Sequence, residues 1–78
     1  MNRNITTLNK LPMNTNGTIE NLMCTGETRR RLLDLGLIKG TTLTPVLISP
    51  SKDPRAFEVR GTLIAIRKED AKLIYINF

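Results

Sequence analysis

Thr25-Gly26-Glu27-Thr28-Arg29-Arg30-Arg31-Leu32-Leu33-Asp34-Leu35-Gly36-Leu37-Ile38-Lys39-Gly40-Thr41 is the stretch on which the fold turns. Threonine is a favoured helix N-cap, a carboxylate in the first turn complements the helix dipole, and glycine just past the end accepts the left-handed backbone that stops a helix. Thr25, Glu27 and Gly36 hold those places, so residues 25–36 are predicted to form one short helix. With Gly36 left-handed, Leu37 folds back onto Leu32, the apolar contact that accompanies such an ending. Gly40, which follows Ile38 and Lys39, predicts a second tight turn that feeds directly into a strand.

Working outward, residues 41–48 are dense in β-branched side chains and read as a strand. Pro45 within it has no N–H to give, which predicts an edge position or a bulge there. Pro50, Lys52, Asp53 and Pro54 mark an exposed loop. Phe57 and Val59 then alternate with Glu58 and Arg60, Gly61 breaks the run, and residues 63–67 resume it, giving two further strands. Residues 68–71 suffice for a helical turn, after which Ile74, Ile76 and Phe78 alternate with Tyr75 and Asn77 as a last strand.

Upstream of the helix, Asn14, Thr15, Asn16 and Gly17 form a turn cluster, and residues 18–23 alternate imperfectly as a first strand. Residues 1–16, with isolated Ile5, Leu8 and Leu11, read as a loosely held lead-in. The expected architecture is therefore mainly β: a small five-stranded antiparallel barrel over residues 1–78, a single domain, with one short helix after the first strand. Closing the barrel would remove exposed strand edges.

Composition narrows the function. A chain of 78 residues buries only about 60% of its unfolded surface, which leaves little room for an enclosed active site. Hydrophobic residues at 40% and charged residues at 24% place it among globular proteins. Cys24 has no intrachain partner, and residues 1–10 lack the apolar run of a signal peptide, so a reducing, cytoplasmic setting is expected. The longest apolar runs are strand-sized, far short of the roughly 20 residues of a membrane-spanning helix.

The chemistry available is sparse. With no histidine and one cysteine, the usual donors for zinc or a softer metal are missing, and no metal site or cofactor is expected. Glu69 and Asp70 are adjacent but sit between Lys68 and Lys72, the pattern of a solvated turn. No nucleophile with a neighbouring base is visible, so no catalytic residue is assigned and an enzyme is not expected. Cys24 fits best as a small apolar filler.

Arg29, Arg30 and Arg31 are the one dense basic feature, yet successive helical residues point about 100° apart and cannot form one stripe. Glu27 with Arg31 and Arg30 with Asp34 have the spacing of local ion pairs, which leaves Arg29 the freest. The net charge of +5 suits nucleic acid, but Phe57 and Phe78 fall on alternating apolar faces and no row of stacking rings is expected, so nucleic acid is not the expected partner.

In order and spacing, Arg31-Leu32-Leu33-Asp34-Leu35-Gly36-Leu37-Ile38-Lys39-Gly40-Thr41 resembles the R-L-x-x-L-G-[LI]-x-x-G-T signature of the ferrous iron transport protein A (FeoA) domain. Ser49-Pro50 with Asp53-Pro54 is similar to that family's proline loop, and Val59-Arg60-Gly61, Ile64-Ala65-Ile66-Arg67 and Ala71 with Ile74 and Ile76 resemble its closing strands. Lys52 stands where the loop commonly has glycine, Asn14 where the first turn often has one, and Asp70 where glutamate is usual.

The resemblance implies an SH3-like barrel that serves bacterial ferrous iron uptake by contact with the ferrous iron permease, a membrane protein with a GTP-binding domain. It implies a cytoplasmic protein that its partner recruits to the membrane, not one embedded there. On this reading Arg29, Arg31, Leu32, Leu35 and Leu37 are the candidate partner-binding residues, and Gly36, Gly40 and Gly61 are structural turns. Core packing is the competing role for the leucines. The alternatives are a detached regulatory domain of an iron-dependent repressor and an RNA-binding small barrel. Self-association through an unpaired strand is a further expectation left open.

Overall fold

The computed structural model describes residues 4–78. Strands β1 (Ile5–Thr7), β2 (Gly17–Leu22), β3 (Thr42–Ile48), β4 (Arg55–Val59), β5 (Thr62–Ile66) and β6 (Ile74–Asn77) form one antiparallel sheet in the order β1-β6-β2-β3-β4-β5. Helix α1 (Gly26–Asp34) follows β2, a four-residue helix α2 (Lys68–Ala71) follows β5, and a single 3₁₀ turn spans Leu8–Lys10.

Six strands replace the expected five, and the helix follows the second strand, because the lead-in itself contributes β1. Ile5, Thr6 and Thr7 pair with Asn77, Ile76 and Tyr75 of β6. Nor is the lead-in loose: Leu8 and Leu11 are fully buried.

The sheet bends sharply at β3 and does not close into a barrel. Thr42 and Leu43 pair with β2, whereas Thr44 to Ile48 pair with β4, with a register shift between Pro45 and Leu47. Pro45 thus occupies a bulge in an interior strand, since a shift at that point accommodates a residue with no N–H. β5 ends the sheet and the chain turns away through α2, so among the described residues β5 has a strand on one side only. The bend wraps a core of Leu8, Ile19, Leu32, Leu43, Phe57 and Ile76, each at most 1% exposed. Cys24 lies among them, buried and unpaired.

Candidate docking surface

The C-terminal end of α1 is built as its residues dictate. Gly36 has φ +90°, its N–H donates to the Leu33 carbonyl at 2.9 Å, and the Leu37 N–H donates to the Leu32 carbonyl at 3.0 Å. These are the two bonds of a Schellman ending, and they bring Leu32 and Leu37 together in the core, both with no exposed surface. The Thr41 hydroxyl, itself buried, donates to the Gly36 carbonyl at 3.0 Å. Gly40 donates to the Ile19 carbonyl and Ile19 to the Thr41 carbonyl, so the turn is stitched to β2 on both sides.

This construction divides the candidate residues. Leu32 and Leu37 cannot meet a partner because they are inside. Leu35, at the helix C-cap, is 45% exposed, and Ile38, just past the turn, is 47% exposed. Ile38 was not singled out from the sequence, because buried Leu37 lies between the same two turn glycines and the pattern does not tell the two apart.

The arginines are also sorted differently from the expectation. Arg29 is not the free one: its Nη1 donates to the Leu22 carbonyl at 2.8 Å, tying the helix to the end of β2. Arg31 reaches Asp70 of α2, Nη2 to Oδ2 at 3.9 Å, instead of its helical neighbour Glu27. Thr25 holds the N-cap position with extended backbone but makes no side-chain capping bond.

Gly61 and Arg60 form the two-residue hairpin between β4 and β5, with φ +83° and +53°. Positive φ at both positions is what a tight hairpin with the natural strand twist requires. The hairpin brings Arg60 to the helix: its Nη1 lies 3.5 Å from where a Cβ on Gly36 would stand. Leu35, Ile38 and Arg60 therefore share one end of the molecule, apolar side chains next to a cation. Sequence reading gave Arg60 no role, because strand alternation alone does not bring a hairpin to a helix end.

A second site lies on the open side of the sheet. Arg55 is half-buried, donating from Nη1 to the Leu11 carbonyl and from Nη2 to the Leu8 carbonyl, both at 2.7 Å. Its guanidinium sits 5.1 Å from the centre of the Phe57 ring. Burial pulls its pKa below the ordinary value. A cleft of about 200 Å³ opens beside it, lined among others by Asn9, Lys52, Asp53, Ile66 and Lys68. Period two was the available signal for Arg55, since it shares its parity with inward-facing Phe57 and Val59. Of the aromatic residues, Phe57 is buried as expected, whereas Phe78 is 42% exposed because it follows the last paired residue of β6.

Among the described residues no three His, Cys, Asp or Glu side chains come together, and no helix is long and apolar enough to cross a membrane.

The described residues thus form a small, mainly β, SH3-like antiparallel sheet with a fixed turn at the end of its helix. The FeoA domain model matches residues 6–77, and the chain belongs to that family. A Fe(2+) transport protein A/Fe(2+) transporter FeoB fusion protein of Porphyromonas gingivalis is 33% identical over 52 residues, covering 67% of this chain and 6% of that protein. The chain thus spans a small fraction of that relative. The solution structure of the FeoA protein from Chlorobium tepidum superimposes with a TM-score of 0.88 at 27% identity, over 94% of this chain and 70% of that one. The zinc-complexed FeoA of Stenotrophomonas maltophilia, a prokaryotic SH3 domain protein, does so with a TM-score of 0.80 at 29% identity, over 91% and 88%.

Proposed function

We propose that this chain is a cytoplasmic accessory of ferrous iron uptake that acts by docking on the GTP-binding ferrous iron permease, without catalysis of its own. The observation that carries this is the helix-end turn: Leu35 and Ile38 stand half exposed on a backbone fixed by the Gly36 and Thr41 bonds, with Arg60 beside them. Exposed apolar side chains on a rigid frame lose little freedom on binding, so more of their burial is retained as affinity. Membership of the FeoA family supports the choice of partner, as does the Porphyromonas gingivalis relative that carries transport protein A and FeoB as one fusion.

Of the candidate residues, Arg31 and Leu35 keep a direct role in this reading; Leu32, Leu37 and Arg29 hold the frame. The test is co-purification with the permease, with and without guanine nucleotide, using the double variant Leu35→Ala, Ile38→Ala. Recovery should fall at least tenfold while the variant's unfolding midpoint stays near that of the parent. Unchanged recovery would remove this surface from the reading, and no recovery of the parent chain in either nucleotide state would remove the partner.

A further inference from the structure

We propose that the free edge of β5 is a second docking site, one that accepts an extended, acid-flanked segment of another protein as a seventh strand.

Among the described residues β5 has β4 on one side and no strand on the other. The two strands pair from Arg55↔Ile66 to Val59↔Thr62 without a shift, so the edge is regular. A two-residue hairpin makes Val59 and Thr62 a hydrogen-bonded pair, and antiparallel ladders alternate. Phe57–Ile64 and Arg55–Ile66 are then bonded as well, which turns the N–H and C=O of Leu63 and Ala65 away from β4. Among the described residues no group bonds to them.

Natural edges are usually blunted by shortness, a bulge, proline or a charged side chain. β1, at the other edge, is three residues long. β5 reads Thr-Leu-Ile-Ala-Ile and carries none of the chemical devices. Its own outward side chains are apolar too: Leu63, opposite Glu58 of β4, is 55% exposed, and Ala65 stands in register with Ala56, which neighbours Leu47 at 57% exposed. An added strand would bond to Leu63 and Ala65 and continue that apolar row.

Charge selects the occupant. Arg60 stands at one end of the edge and Arg67 and Lys68 at the other. A second copy paired antiparallel about Ile64 would bring Arg60 to the end that carries Arg67 and Lys68, on chains that each carry +5. A segment with apolar residues at its centre and carboxylates at both ends meets the same edge with opposite charge.

The test uses the full chain and two capped peptides, EEVTISVEE and its counterpart KKVTISVKK, with amide hydrogen exchange read by NMR. The acidic peptide should slow exchange at Leu63 and Ala65 at least tenfold, and the lysine peptide should leave it unchanged. Ala65→Pro removes an outward N–H while sparing the bonds to β4, and should abolish the protection. Arg67→Glu, which leaves the backbone alone, should weaken acidic-peptide binding several-fold. No slowing with the acidic peptide, equal binding of both peptides, or full binding by Arg67→Glu would overturn the proposal. So would protection that grows with protein concentration alone, which would assign the edge to a second copy.

Discussion

The Arg55 guanidinium serves two backbone carbonyls, those of Leu8 and Leu11, that no ladder reaches. Charge-assisted bonds of this kind contribute about 1.5–3 kcal/mol each, so Arg55→Met, which keeps the apolar stem over Phe57, should cost about 3–5 kcal/mol in urea unfolding. Arg55→Lys should recover only part of that, since an ammonium lacks the planar fork that spans two acceptors. Burial lowers the Arg55 pKa, which means that the charged form is penalised at every pH below the folded value. Guanidinium stays protonated throughout the range where proteins fold, so this penalty is constant and Arg55 adds no slope to stability between pH 5 and 9. Lys52, on the rim of the same cleft, has φ +71°. A side chain there costs about 1 kcal/mol against glycine, so Lys52→Gly should raise the thermal midpoint by about 4–8 °C.

Among the elements, α1 is held at its two ends by different means. Gly36→Ala forces a Cβ into the left-handed region beside Arg60 and should destabilise by about 1 kcal/mol. Thr25→Ala should cost less than about 0.5 kcal/mol, because the capping hydroxyl makes no bond to lose. Both are read from chemical denaturation at a common m-value. Gly36, Leu37 against Leu32, the Pro45 bulge and the alternation around Phe57 were legible because each signal lies within a few residues of its effect. β1 was not: Thr6 meets Ile76, a partner seventy positions away, and three residues of weak pattern do not announce it. Long separation likewise hid Arg55 from Leu8, 47 positions apart, and Arg31 from Asp70. Leucine spacing pointed to the segment that carries the candidate surface, but helical periodicity ends at Gly36, so it could not separate buried Leu37 from exposed Ile38.

In the whole molecule, leaving the sheet open does not sacrifice compactness: the radius of gyration is 11.4 Å, close to the roughly 11–12 Å of a dense body of this length. The open side is covered by the 3₁₀ turn, whose Leu8 is buried among the strands' side chains. Leu8→Ala should therefore cost about 2–5 kcal/mol, a core-sized loss from a position that reads as part of a tail. Calorimetry against an exposed control such as Leu63→Ala would separate the two cases. The pairing of β1 with β6 has a further result for engineering. The Phe78 N–H reaches the Asn4 carbonyl at 3.0 Å, so the two ends of the described fold lie side by side. A short glycine-serine bridge between those ends, with new termini opened in the exposed loop around Ser51, should yield a circular permutant that folds to the same sheet. By the same geometry, a host protein could carry this unit as an insert without being pried apart.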